Sequence, residues 1–104
     1  MTDNLLISVL KVMARNENYQ ANYIRTIFNN KEYENIDEIL LEYDDAKFLK
    51  ERYVFNINVR NMFENLEKII EKIEEDQLFS IKDLNDPLWG KIRSQAQKIL
   101  NAIQ

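Results

Sequence analysis

The chain has no cysteine and no histidine, and only one glycine and one proline among 104 residues. Without cysteine there is no disulfide framework, no thiolate metal site and no sulfur nucleophile, a composition suited to a reducing cytoplasm. Without histidine the commonest general base and the commonest metal ligand are missing, together with every Ser-His-Asp or Cys-His arrangement. A single glycine leaves no material for a glycine-rich phosphate-binding loop. No residue is therefore assigned a catalytic, cofactor-binding or metal-ligating role, and a non-enzymatic protein is expected.

The scarcity of glycine and proline also bears on fold. Strand-rich domains use both residues in turns and bulges, whereas helices exclude them from their interiors. An all-α protein is expected. No run approaches the roughly 18 continuous apolar residues that a membrane span requires. The opening apolar segment "LLISVLKVMA" lacks both a preceding basic region and a following cleavage site, so neither membrane insertion nor secretion is expected.

What is present fits one folded domain over residues 1–104. Hydrophobic residues make up 45% and charged residues 31% of the chain, within the globular range and too apolar for a disordered tail. Helical spacing predicts four to five amphipathic helices in a compact bundle. The first, capped by Thr2 or Asp3, carries Leu6, Val9, Leu10 and Met13 and runs to about Arg15. A second covers about Glu17 to Phe28, separate from the first or continuous with it as a kinked rod.

A third begins at Asn35, where Glu38 three residues on suggests a capping box. Ile36, Ile39, Leu40 and Tyr43 form its apolar face, and Asp44-Asp45 is a point of interruption. In "YVFNINVRNMF" the alternation of Tyr53, Phe55, Ile57 and Val59 also fits a strand. Length favours a loop over 53–56 followed by a long helix from Ile57 to Asp76, whose stripe would include Phe55. Ser80 and Asp83 are expected to cap a short turn.

The stretch "NDPLWGK" gathers the proline, the tryptophan and the glycine within four residues. Asp86 is a good N-cap and Pro87 suits the first helical position, where its missing N–H costs nothing. Trp89, Ile92, Ala96, Ile99, Leu100 and Ile103 then continue as one face. The stretch reads as a helix start with an aromatic anchor, and Gly90 is expected to admit another backbone.

Acidic residues are the first place to look for chemistry. Glu64 and Glu67, three apart, could contribute to a carboxylate metal site, but that architecture also draws on Glu-x-x-His. A solvated face is the simpler reading, with Glu64–Lys68 and Lys72–Asp76 as ion pairs worth about 0.2–0.5 kcal/mol each.

Charge distribution says more. Within a net charge of −4, residues 1–31 carry four basic and two acidic side chains, residues 32–76 six against fourteen, and residues 77–104 four against two. The acid is concentrated in the middle. Acidic faces steer basic partners through long-range attraction, as immunity proteins and phage inhibitors of nucleic-acid-binding enzymes do. On a small protein such charge also simply maintains solubility.

The favoured functional expectation is a protein-protein interaction module, a small inhibitor or immunity-type regulator of bacterial, phage or plasmid origin. Its partner would be a protein, basic or itself nucleic-acid-binding, met through Tyr33, Glu34, Asp37, Glu38, Glu42, Asp44 and Asp45. Tyr33 is included because it sits in a connection outside any apolar stripe, and aromatic residues are enriched at interfaces. The remaining tyrosines are expected at the edge of the core, with their hydroxyls in water.

One alternative is a helical nucleic-acid-binding regulator, with Gln20, Asn22 and Arg25 reading a groove and Arg15, Lys91, Arg93 and Lys98 as a basic patch. A sequence pI near 4.9 weighs against it. Another is a structural subunit of a larger assembly. The apolar run of the long helix covers about two to three heptads, short of the three to four that argue for a coiled coil, so monomer and homodimer both stand.

Overall fold

A computed structural model describes residues 3–104, within which five α-helices and two 3-10 helices occur and no strand. They are α1 (Leu5–Met13), α2 (Glu17–Ile27), α3 (Asp37–Ala46), a 3-10 helix Lys47–Arg52, α4 (Ile57–Asp76), a 3-10 helix Ile81–Asn85 and α5 (Pro87–Ile103). The all-α expectation holds, and the segment from Tyr53 to Val59 is a turn followed by helix.

The first cap is neither of the expected residues. Thr2 lies outside the described residues, and Asp3 instead pairs with Lys11 at 2.6 Å. Asn4 takes the N-cap, its side-chain oxygen accepting from the Ile7 amide at 2.9 Å. Thr, Asp and Asn are all competent caps, and the choice places Leu6, Val9, Leu10 and Met13 inward.

α1 and α2 are separate helices, because Asn16 adopts an extended backbone and caps α2 through the Tyr19 amide. The capping box expected at Asn35 and Glu38 does not form. Asn35 accepts from the Asp37 amide two residues on, a local side-chain turn that leaves Ile36 at the cap without a side-chain bond. Asp44-Asp45 does not break α3, which runs to Ala46 before tightening into the 3-10 helix.

Phe55 is not in the α4 stripe. It precedes the helix in the turn and is 90% exposed, while Val59, Phe63, Leu66, Ile70 and Ile73 face inward. Asp86 caps α5 by accepting from the Leu88 amide, Pro87 takes the first helical position, and the Asp83 carboxylate accepts from the Ser80 amide. Gly90 admits no second backbone. A Cβ there would meet only the Arg93 guanidinium at 3.8 Å, an ordinary contact. The left-handed positions fall to other residues, Asn29 and Gln77.

The buried apolar residues form one continuous core. α1 packs against both α3 and α5, and α5 packs along α4. Trp89 is fully buried among them, its indole N–H donating to the Leu78 carbonyl at 2.9 Å. Two backbone bonds tie the segment before α3 to the one after α4: the Ile36 amide donates to the Phe79 carbonyl and the Ile81 amide to the Glu34 carbonyl. With a radius of gyration of 13.3 Å, the chain is as condensed as a domain of about 100 residues should be.

Candidate interaction surface on the third helix

α3 is half sunk. Ile39, Leu40, Tyr43 and Ala46 are buried, and its other half carries nearly all the acid. Stepping about 100° per residue, the outward side chains run in the order Asp44, Asp37, Leu41, Asp45, Glu38, Glu42, an arc of roughly 160°. Leu41, at its middle, is 51% exposed. The outward face of α3 is thus an apolar side chain flanked by carboxylates on both sides.

The two flanks border different grooves. Asp37 and Asp44 border a groove of about 280 Å³ between α3 and α4, where the two backbones do not pack closely. Leu40, Leu41, Tyr43 and Ile70 supply its apolar lining, and Glu67, Glu71 and Glu74 its far acidic wall. Lys47 adds a cation to its lining, held 2.6 Å from Asp44. That hydrogen bond, with weaker attraction from Glu67 and Glu74, raises the Lys47 ammonium above its ordinary titration range.

Glu67 is committed to structure. It accepts from the buried Tyr43 hydroxyl and from the Lys50 ammonium, each at 2.7 Å, so α3 and the following 3-10 helix are joined to α4 through one carboxylate. Burial first, and then the bond to Glu67, pushes the Tyr43 phenol well above its usual range. Of the ion pairs expected along α4, Lys72–Asp76 forms at 3.5 Å. Among the described residues Glu64 and Lys68 make none, and no three acidic side chains converge to hold a metal ion.

On the opposite flank Glu42 accepts from the Tyr23 hydroxyl at 2.8 Å to each oxygen, which links α3 to α2. Burial raises the Glu42 carboxyl above its ordinary value, as do the neighbouring Glu38 and Asp45, against the opposing effect of the Tyr23 bond. Asp3, Lys11, Arg15 and Tyr19 line the same groove, and the Arg15 guanidinium lies 4.0 Å over the Tyr19 ring.

The seven residues singled out from sequence do not form one patch. Asp37, Glu38, Glu42, Asp44 and Asp45 share α3's outward arc. Glu34 lies before the helix and pairs with Arg25 at 3.4 Å. Tyr33 is half-buried rather than prominent, because it stacks on Phe28 with ring centroids 4.2 Å apart. Sequence reasoning missed Leu41, whose signal is its place in "EILLEY": three consecutive apolar residues span about 200° of a helix and cannot all face inward. It also missed Lys47, Glu71 and Glu74, which join the site only through the packing of α3 beside α4.

The residues offered for groove reading fare differently. Gln20 is fully buried, donating to the Met13 carbonyl at 3.0 Å and accepting from Arg93 at 3.0 Å. Arg93 also donates to the Leu84 carbonyl. Both side chains are used within the fold, whereas Asn22, Lys91 and Lys98 are exposed. Among the described residues no helix is long and apolar enough to cross a membrane.

No known protein family, curated protein or solved structure matches this chain.

Proposed function

We propose that this protein is a non-catalytic, cytoplasmic interaction module that binds a partner protein through the outward face of α3. The observation that carries this reading is the exposed Leu41 set among Asp37, Glu38, Asp44 and Asp45 on one helix face. Interfaces commonly combine an apolar centre with a charged rim, in which the centre supplies affinity and the rim supplies steering. A basic partner is drawn in by the carboxylates at a distance, and burial of Leu41 then slows its departure. Within this class the reading is an inhibitor or immunity-type regulator of a basic or nucleic-acid-binding protein, encoded by a bacterium, phage or plasmid.

Enclosure of Gln20 and Arg93 supports this reading over direct nucleic-acid binding, since two of the side chains that would touch a duplex are spent inside the fold. The test is capture by the tagged full chain from a bacterial lysate, with and without nuclease, using a photo-crosslinking residue at Leu41 and a control at exposed Gln97. The expected result is one protein, retained after nuclease and cross-linked from position 41 but not from 97. Capture lost with nuclease, or cross-linking from 97 alone, would overturn the reading.

A further inference from the structure

α2 is fastened by side-chain hydrogen bonds more than by an apolar face. Of its eleven residues only Gln20 and Ile24 are buried, whereas α1, α4 and α5 bury five each. One of the two is an amide whose bonds water could replace. The Gln20 side chain holds the last carbonyls of α1 and is held by Arg93. Glu17 lies 3.5 Å from Arg93, and Tyr23 reaches Glu42.

The segment is bracketed by fixed points. α1 ends at Met13 on one side, and on the other Glu34 and Ile36 are bonded through their backbones to Ile81 and Phe79. Between them the chain turns at Asn16, extended, and at Asn29, left-handed with φ 48°. We infer that residues 16–33 form a polar-latched flap, which opens as a unit while α1, α3, α4 and α5 stay folded.

The physical reason is an imbalance in what opening exposes. Apolar surface resists exposure to water, while polar groups released to water regain hydrogen bonds there and recover most of what they lose. Opening residues 16–33 uncovers one fully buried apolar side chain, Ile24, with Ala21, Tyr23 and Tyr33 partly so. Segments that bury little apolar surface are those that open below the free energy of global unfolding. An open flap would release Glu42 from Tyr23 and bare the apolar surface that Ile24 covers. This inference stands independently of any partner on α3.

Hydrogen exchange on the full chain, resolved by NMR at neutral pH, tests it. Amides of α2 are expected to exchange at least about tenfold faster than those of α4 and α5, as a low-energy opening requires. Arg93→Met should accelerate α2 by about a further tenfold with α4 unchanged, the loss of a charged donor to Gln20 and Glu17. Should that variant not fold, Tyr23→Phe keeps the ring packing, removes one latch, and should still accelerate α2 selectively. Exchange of α2 in step with α4 and α5, or no selective acceleration in the variant that folds, would overturn the inference.

Discussion

The hydroxyl of Tyr43 on α3 donates to the carboxylate of Glu67 on α4 at 2.7 Å, and Lys50 reaches the same oxygen at 2.7 Å. This contact bridges two helices whose backbones stand apart. It therefore fixes the width of the groove beside Leu41 as well as contributing stability.

Tyr43→Phe removes the hydroxyl donor while leaving the ring in place. Because a donor to a charged acceptor is lost at a half-buried site, the variant should unfold about 1–2 kcal/mol more easily. That corresponds to a fall in thermal midpoint of roughly 4–8 °C for each kcal/mol in a domain of this size. Urea titration followed by fluorescence of the buried Trp89 measures it, and an unchanged midpoint would mean that the bond adds nothing in solution.

The single glycine stands where none is required, and a position that favours glycine holds glutamine. Gly90 lies in the first turn of α5 with room for a methyl group, so Gly90→Ala should stabilise by about 0.5–1 kcal/mol. Gln77 ends α4 at φ 53°, a left-handed conformation that costs a non-glycine residue about 1 kcal/mol. Gln77→Gly should therefore also stabilise. The sites lie on different elements, and the double variant should show near-additive gains in midpoint.

Glu42 gives a pH dependence of definite sign. Its carboxyl titrates above 4.5, its ordinary value, in the folded chain, so the folded state binds more protons than the unfolded state in that window. Its contribution is most favourable below about pH 4.5 and is lost as pH rises through the elevated folded value. The groups facing it are Tyr19 and Tyr23 of α2, Glu38 and Asp45 of α3, and Asp3, Lys11 and Arg15 in the same groove. Glu42→Gln removes the titration. In urea unfolding at pH 4.5 and pH 7, the stability of the variant relative to the parent should increase at the higher pH; a constant difference would contradict the assignment.

Much of the fold was legible because local signals agreed. The apolar stripes of α1 and α5, that of α4 from Val59 onward, the Asp86-Pro87 start and the Asp83 cap each rest on residues within one or two turns of each other, and each formed as expected. What was not legible depends on distant partners. Nothing near Gln20 announces that it will be enclosed, because its burial requires Arg93, far along the chain. Phe55 shares the phase of Val59 and Phe63, but α4 begins only at Ile57 and leaves it exposed in the preceding turn. The pairing of Glu34–Ile36 with Phe79–Ile81 likewise has no local signature.

The candidate surface shows the same division. Its acidity was evident from composition, but its shape was not. Helix phase groups Asp37 and Asp44 on one side of Leu41, and Glu38 and Glu42 on the other. The tertiary fold then sends Glu34 to Arg25 and Tyr33 onto Phe28.

The most direct test of the account is charge reversal on the α3 face. Once a partner has been captured, its affinity for the parent chain and for Asp44→Lys/Asp45→Lys is measured at low salt by calorimetry, with Glu75→Lys on the far end of α4 as control. Loss of two carboxylates and gain of two cations at a steering rim should weaken binding by at least about tenfold, mainly through slower association. The control should bind like the parent. Unchanged affinity in the double variant would contradict the assignment of α3 as the docking face.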